Sequence, residues 1–346
     1  MSGSGEAGER KPAQRGVLRA GLIGLGAMGR NHARVLNLLD GVDLVAIMDP
    51  APNAAGPAGV PVVSDLEQLL AKNIDYAVVA CPTGLHEEIG LRLAEAGVHA
   101  LIEKPLAPSV EAAAKLADAF EKAGLVGAVG HIERYNPSLQ SLRARLEAGE
   151  LGDMYQVVTR RQGPFPGRIA DVGVVMDLAT HDIDLTAWVT GREYLNVAAR
   201  TVSRSGRPHE DMVSAVATLR DGVVANHLVN WLSPFKERST VITGERGSFV
   251  ADTLTADLTF YANAATSTSE WEALRNFRGV AEGDMIRYAI PKREPLLVEH
   301  ERFRDAVEGK ESDIVTMRQG MRTVEVAEAV LRSAADGLSV EVTSGR

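Results

Sequence analysis

The stretch Leu18-Arg19-Ala20-Gly21-Leu22-Ile23-Gly24-Leu25-Gly26-Ala27-Met28-Gly29 decides the fold of this chain. A short apolar run within it, over residues 20–23, predicts a buried strand. Beyond it, apolar side chains recur at spacings of three and four as far as Leu39, which predicts a helix, and Gly41 suits the left-handed residue that closes one. A strand, a glycine-rich turn and a helix in this order are typical of a dinucleotide-binding unit.

Glycines separate the predicted strand from the predicted helix at the spacing Gly24-x-Gly26-x-x-Gly29. The first permits a tight turn, the second lets the backbone approach a pyrophosphate, and the third lets the helix pack closely on the strand. The backbone amides at the helix start, including those of Ala27 and Met28, would then face the phosphates of a dinucleotide. These five residues are the first candidates for a cofactor site.

A second apolar run ends at Asp49, twenty residues past Gly29. An acid at this spacing can hydrogen-bond both ribose hydroxyls of the adenosine, although a strand-end aspartate beside an ordinary surface turn is the alternative. Asp49 is followed by Pro50-Ala51-Pro52, without an arginine that could hold a 2′-phosphate. The cofactor is therefore predicted to be NAD rather than NADP.

Length and composition set broad limits on the function. The 346 residues suffice for two domains, and 45% of them are apolar, so both domains can have full cores. The formal charge of −9 argues against a nucleic-acid partner. No apolar run reaches the roughly 20 residues that span a bilayer, and residues 1–16 are predicted to be a disordered tail without a signal core. The single cysteine, Cys81, excludes an intrachain disulfide and favours a cytoplasmic protein.

Predicted strands and helices alternate over residues 17–135, which indicates an α/β fold with a parallel sheet covered on both faces. We therefore expect a Rossmann dinucleotide-binding domain there. Ligands of such sheets bind at the carboxyl ends of the strands. The residues predicted at these ends are Gly24, Asp49, Cys81, Glu103 and His131.

Beyond Gly191 the apolar pattern has a period of two, which predicts strands between residues 196 and 261 and a largely antiparallel sheet. This sheet would belong to a second, α+β domain over residues 136–346 that binds substrate. One face would pack on helices and the other on a partner subunit, so we predict a homodimer or homotetramer. Residues 264–283 are polar and give no clear pattern.

Lys104 is the first chemical candidate, because a lysine that leaves a strand at the ligand edge can donate hydrogen bonds to a substrate oxygen. A solvated surface lysine is the alternative. His86 could contact the cofactor or simply solvate a helix start. Cys81 could line the nicotinamide site, although a small buried filler is the simpler interpretation.

A helix is predicted over residues 174–189, closed by Gly191. Spacings of three and four would place Asp177, His181, Asp184 and Trp188 on one stripe of it. A carboxylate one turn from a histidine can orient the ring and tune its basicity, as a general base requires. A structural Asp-His-Asp network is the alternative, and the absence of a further ligand cluster in the sequence argues against a metal site.

Residues 160–168 are predicted to form an irregular loop with the arginines Arg160, Arg161 and Arg168. Arginine forks match phosphate oxygens well, so the loop could hold a phosphorylated substrate. A solvated charged loop is the alternative.

Taken together, these patterns resemble the glucose–fructose oxidoreductase / inositol dehydrogenase (Gfo/Idh/MocA) family. The glycine pattern, followed by Asn31-His32, is similar to the start of that family. In the loop after the fourth strand, Pro82 and His86 fall where the family has Pro and His, with Cys81 where Thr is usual. The two signature matches are Glu103-Lys104-Pro105 and Asp177-x-x-x-His181-x-x-Asp184.

The resemblance implies an NAD-dependent dehydrogenase that acts on a CH–OH group. Lys104 would bind and polarise the reacting hydroxyl, Asp177 would position the substrate and Lys104, and His181 would remove the hydroxyl proton. Alternatives are an inositol or polyol dehydrogenase, a ketosugar reductase, or a non-catalytic dinucleotide-sensing regulator. The presence of all three residues argues against the regulator, which would need none of them.

One departure bears on the substrate. Many family members have a glycine-rich run before the aspartate, where this chain has Asp171-Val172-Gly173. This variant, together with residues 130–137, is similar to the branch of UDP-N-acetylglucosamine 3-dehydrogenases, which implies a sugar or nucleotide-sugar substrate. The substrate-binding candidates are His131, Arg134, Tyr135, Asn136, Arg161, Arg168, Asp177 and His181.

Overall fold

A computed structural model describes residues 16–51, 54, 56–167, 172–264 and 282–342 of the chain. Almost all of the predicted tail, Arg168, Asp171 and most of the unassigned stretch 264–283 lie outside the described residues. The described residues form two β-sheets with helices packed against them.

The first sheet is parallel and has the strand order β3-β2-β1-β4-β5-β6, which is the Rossmann order. Its strands are β1 (Leu18–Ile23), β2 (Val42–Met48), β3 (Val62–Val63), β4 (Tyr76–Val79), β5 (His99–Glu103) and β6 (Gly127–Gly130). The helices between them are α1 (Ala27–Leu36), α2 (Leu66–Leu70), α3 (His86–Glu95) and α4 (Val110–Ala123). Strands such as β4 are fully buried because helices cover both faces. The predicted Rossmann fold is confirmed.

The second sheet follows helix α5 (Pro137–Glu147) and has the strand order β14-β13-β12-β11-β7-β10-β9-β8-β15. Its described strands are β7 (Met154–Pro164), β8 (Tyr194–Val202), β9 (Met212–Leu219), β10 (Val224–Asn230), β11 (Leu232–Gly244), β12 (Gly247–Asp252), β13 (Asp257–Asn263), β14 (Glu282–Arg287) and β15 (Val340–Glu341). Among the described strand pairs of this second sheet, only β7 and β10 run parallel, so the prediction of a largely antiparallel sheet is confirmed.

Strand β7 continues to Pro164, so the loop predicted from residue 160 was wrong over its first half. Arg161 pairs with Val229 of β10 on one side and with Arg238 of β11 on the other. Its side chain is buried, because carboxylates inside the fold neutralise its charge.

The helix predicted over residues 174–189 is present, and Gly191 closes it in the left-handed conformation with φ 65°. It begins, however, with a π-helical turn at Val175–Ala179 before α6 (Thr180–Thr190). A π turn contains an extra residue and rotates what precedes it. Asp177 and His181 are therefore separated by a change of helix type, which the residue spacing alone did not reveal.

The end of the chain returns to the first sheet through helices α7 (Pro295–Val307) and α8 (Met317–Asp336). Phe303 packs edge-on against Tyr76 of β4, with ring centroids 5.3 Å apart. Between the two helices, Thr316 bridges to Ala128 of β6, and Met317 joins the core beneath the sheet. Residues 136–346 thus contribute to both cores.

His227 of β10 is buried in the second domain, with Nδ1 2.7 Å from Thr159 Oγ1 and Nε2 2.9 Å from the Tyr194 hydroxyl. Burial lowers its pKa from 6.5 to about 4. Between these pH values the unfolded chain binds more protons than the native protein. Acidification through this range therefore removes stability.

We expect His227→Gln to weaken this pH dependence. Between pH 6.5 and pH 4, the free energy of unfolding of the wild-type protein should fall by up to about 3 kcal/mol more than that of the variant. Urea unfolding at several pH values measures the difference. Parallel curves for the two proteins would show that His227 does not titrate in this range.

Candidate active site

Lys104 connects the carboxyl edge of the first sheet to the π turn of the second domain. Lys104, directly after β5, donates from Nζ to Asp177 Oδ1 at 2.9 Å and to the Asp177 carbonyl at 2.6 Å. The two side chains are only 13% and 10% exposed, so the pair is largely screened from solvent. The structure therefore brings together two residues that are 73 positions apart.

His181 follows on the next turn and is partly exposed as a residue. Its Nδ1 is buried and has no hydrogen-bond partner among the described residues. Burial, followed by the positive charges of Lys104 and Arg161, lowers the pKa of the imidazole well below its usual range. The ring is therefore neutral at neutral pH.

The prediction that Asp177 orients the His181 ring was wrong. Asp177 instead places its carboxylate and its carbonyl on Lys104, and no hydrogen bond to His181 is formed within the described chain. The π turn is the physical reason, because it changes the angular relation between residues four apart.

The glycine turn fits the phosphates of a dinucleotide. Gly24 has φ 94°, and a side chain there would meet the Ala80 carbonyl, since its Cβ would lie 2.7 Å from that oxygen. Gly26 caps α1, and nothing lies within 4 Å of the position of its missing Cβ. No side chain caps this helix, so the amides of Ala27 and Met28 remain available at its exposed start.

Asp49 holds the glycine turn in place at the end of β2. Its Oδ2 accepts from the amide of Leu25 at 2.7 Å, and its Oδ1 accepts from the amide of Ala51 at 2.9 Å. A carboxylate has about four acceptor positions, so two remain for ribose hydroxyls. The turn and its acidic partner thus form one unit.

The loop after β4 carries three predicted cofactor contacts, Cys81, Pro82 and His86. Burial raises the pKa of Cys81 to about 12, so it is a thiol at neutral pH, and Pro82 is exposed beside it. His86 is buried, with Nδ1 3.0 Å from the Pro105 carbonyl and Nε2 3.1 Å from the Cys81 carbonyl. It joins two loops of the protein and keeps no ring nitrogen for a cofactor, contrary to the predicted contact.

Glu103, a predicted cofactor ligand, is instead directed into the protein. Its Oε1 lies 2.9 Å from His32 Nε2, and its Oε2 accepts from the Lys104 amide at 3.1 Å. On the far side, His32 Nδ1 lies 2.8 Å from His300 Nε2 of α7. Burial alone would raise the pKa of Glu103, but the hydrogen bond from His32 and the charge of Lys104 hold it below its usual value. This carboxylate therefore anchors the backbone of the catalytic candidate.

Three of the four predicted substrate ligands between β6 and α5 form hydrogen bonds with other residues of the protein. Arg134 donates two hydrogen bonds to the Asp184 carboxylate, from Nε to Oδ2 at 2.8 Å and from Nη2 to Oδ1 at 2.6 Å. His131 lies 3.8 Å from the same carboxylate, and burial lowers its pKa to about 4. The Tyr135 hydroxyl donates to the Asp313 carbonyl at 3.3 Å, and Asn136 caps α5. Arg134, Tyr135 and Asn136 therefore have structural roles instead of the predicted contact with substrate, whereas neither ring nitrogen of the buried His131 has a hydrogen-bond partner among the described residues.

Arg161 is also neutralised within the fold. Its Nε donates to Asp182 at 3.0 Å and its Nη1 to Glu133 at 2.8 Å. The predicted phosphate contact was therefore wrong for this arginine, and Arg168 lies outside the described residues. Of the eight predicted substrate ligands, Asp177 and His181 lie at the site beside Lys104, and His131 is close enough for the charge of Lys104 to lower its pKa.

No group of three or more histidine, cysteine, aspartate or glutamate side chains among the described residues could hold a metal ion. None of the described helices is long and apolar enough to cross a membrane.

Two family models match the chain. Residues 18–131 match the model described as oxidoreductase family, NAD-binding Rossmann fold, and residues 139–250 match the GFO/IDH/MocA C-terminal domain. The chain belongs to the Gfo/Idh/MocA oxidoreductase family. Membership confirms the resemblance predicted from the two signatures, and it identifies this Gfo/Idh/MocA protein as an NAD-binding oxidoreductase.

Relatives of this Gfo/Idh/MocA protein differ in substrate. It is 35% identical to UDP-N-acetylglucosamine 3-dehydrogenase of Acidithiobacillus ferrooxidans over 213 residues, which cover 60% of this chain and 66% of the relative. The match thus spans just under two thirds of that relative's length. It is 30% identical to inositol 2-dehydrogenase 2 of Saccharopolyspora erythraea over 341 residues, covering 94% and 96%. The solved structure of the Acidithiobacillus enzyme GnnA superposes with a TM-score of 0.79 at 30% identity, covering 92% and 98%.

Proposed function

We propose that this protein oxidises a ring hydroxyl of a sugar or nucleotide sugar, with Lys104, Asp177 and His181 around the reacting carbon. The observation that carries the proposal is the contact of Lys104 with Asp177, which joins the cofactor domain to the second domain at the ligand edge of the sheet. NAD, when bound, supplies the hydride acceptor.

Lys104 is the residue that binds the reacting oxygen. Its ammonium group has three donors, and the Asp177 carbonyl and carboxylate take two of them. The third donor is left for the substrate hydroxyl, whose negative charge it stabilises as the proton leaves. Asp177 fixes the direction of that donor, so a substrate bound there is already aligned.

His181 is the base in this proposal. It is neutral because burial and neighbouring cations lower its pKa, and it has no hydrogen-bonded partner among the described residues. Since Nδ1 is buried, the hydroxyl proton passes to Nε2. The same positive surroundings that lower the pKa of the imidazole also favour an alkoxide-like oxygen beside Lys104.

NADH absorbance with a panel of UDP-sugars, hexoses and inositols tests the proposal. We expect at least one sugar or nucleotide sugar to be oxidised, and faster with NAD than with NADP. Turnover of inositols alone would favour the inositol dehydrogenase function of the relative that matches nearly the whole chain. Tight NAD binding without turnover of any compound would favour a dinucleotide-sensing regulator.

We also propose that the second sheet forms the contact between subunits of a homodimer or homotetramer. Its face opposite the helices exposes apolar side chains from four strands. These are Val216, Val224, Tyr261 and Met285. Association would remove this apolar surface from water.

A further inference from the structure

Arg238 of β11 lies directly opposite Arg161 of β7 in an antiparallel pair. Opposed residues in such a pair project from the same face of the sheet. Arg161 reaches from this face to Asp182, the residue after His181, over 3.0 Å. Arg238 therefore projects from the face that carries the candidate active site, although no motif in the sequence marked it.

The two arginines differ in how their charge is compensated. Arg161 is buried between two carboxylates. Arg238 is partly exposed, and its Nη1 donates to the carbonyl oxygens of Gln162 at 2.7 Å and Glu237 at 2.8 Å. Within the described parts of the chain, Arg238 forms no ion pair with any carboxylate. The two carbonyls thus fix the guanidinium in place without supplying a negative charge of their own.

The free edge of this guanidinium has the shape that oxyanions bind. Nη1 is used by the two carbonyls, and no hydrogen bond from Nε or Nη2 is formed to the described residues. These two nitrogens present parallel N–H donors, which match two oxygens of a carboxylate or a phosphate. A side chain that is already immobilised also loses little entropy when it binds.

Electrostatics agree with this geometry. Burial, and then the charge of Arg161, lower the pKa of Arg238, although the carboxylates of Asp182, Glu133 and Asp177 offset part of this effect without forming ion pairs with it. The charge of Arg238 in turn contributes to the lowered pKa of His181. A cation in such surroundings is stabilised by an anion that arrives beside it.

We infer that Arg238 anchors an anionic group of the substrate, a carboxylate or a phosphate, so that the site takes an acidic sugar in preference to a neutral one. The inference rests on the proposed function, because it assumes that the sugar ring bound at Lys104 extends to β11. Arg238 is a specificity-determining residue in this arrangement and takes no part in proton or hydride transfer.

Binding to the protein–NADH complex tests the inference without requiring turnover. Isothermal titration with glucuronate, glucose 1-phosphate and glucose compares a carboxylate, a phosphate and a neutral sugar. We expect at least one anionic sugar to bind about tenfold or more tightly than glucose. Arg238→Met should reduce this preference to within about twofold, and Arg238→Lys should keep part of it, since lysine retains the charge but not the fork.

The matched control is Arg160→Met. Arg160 precedes Arg161 in β7 and is exposed on the other face of the sheet, so this change also removes one positive charge but does so away from the candidate active site. It should leave the preference unchanged, and NADH affinity should be unchanged in every variant. Equal affinity for glucose and both anions, or a preference that survives Arg238→Met, would overturn the inference. Whichever anion shows the preference identifies the group that Arg238 binds.

The binding measurements, together with the NADH absorbance assay, separate this inference from the proposed function. If the anion preference depends on Arg238 but no sugar is oxidised, the anion site stands and the proposed oxidation fails. If neutral sugars are oxidised with kinetics that Arg238→Met does not alter, the oxidation stands and the anion site fails.

Discussion

Replacing Lys104 with methionine is expected to reduce kcat by about a thousandfold while NAD affinity changes by less than about threefold. Methionine nearly preserves the length of the side chain but removes the ammonium donors that bind the reacting oxygen. The glycine turn and Asp49, which fit the dinucleotide, lie at the ends of β1 and β2 and do not depend on Lys104. Steady-state NADH formation and a fluorescence titration with NAD measure the two quantities separately.

Lys104→Arg is the matched control for this change. It retains the positive charge beside Asp177 but moves the donors, so we expect a kcat between those of the methionine variant and the wild type. Loss of NAD affinity in parallel with kcat would mean that Lys104 is structural. An unchanged kcat in Lys104→Met would remove the basis of the proposed site.

Replacing Arg134 with methionine is expected to lower the free energy of unfolding by about 3–5 kcal/mol. The Asp184 side chain is only 1% exposed and accepts both N–H groups of the arginine fork. Burial alone would raise the pKa of this carboxyl, but His131 and Arg134 hold it below its usual value. Removal of the arginine leaves a buried charge with little compensation, and urea unfolding measures the cost.

A second substitution separates the charge effect from lost packing. In the Arg134→Met background, Asp184→Asn removes the uncompensated carboxylate, and we expect it to restore most of the lost stability. If Arg134→Met lowered the free energy of unfolding by less than about 1 kcal/mol and raised the KM for the sugar, Arg134 would instead be a substrate-binding residue.

Local patterns predicted much of the fold and one part of the site. The turn at Gly24, Gly26 and Gly29 with Asp49 depends on residues close in sequence, and alternation of strands and helices gave the parallel sheet. The pairing of Lys104 with Asp177 was implied by the family resemblance of the two signatures and not by any local pattern. The π turn before His181 was missed because this helix is buried on nearly every side, so its sequence shows no apolar stripe that one extra residue would displace.

The sequence could not predict which arginines form ion pairs inside the protein, because their carboxylate partners come close only in the tertiary structure. Arg134 meets a partner 50 residues away, and Arg161 meets partners 21 and 28 residues away. Arg238 forms no ion pair with a carboxylate within the described chain. Likewise, the contact of His32 with His300 joins positions 268 residues apart, and nothing in the local sequence of either histidine indicates it.

The packing of α7 and α8 against the first sheet has a consequence for how this protein folds during its synthesis. Phe303 covers Tyr76, and Met317 fills the core beneath the sheet, yet both are synthesised long after the six strands that they cover. A nascent chain that has finished β6 therefore still exposes apolar surface, and it must wait for the last helices before its nucleotide-binding half can close. The nucleotide-binding domain is thus synthesised first, but its core is completed only when the last helices have been made.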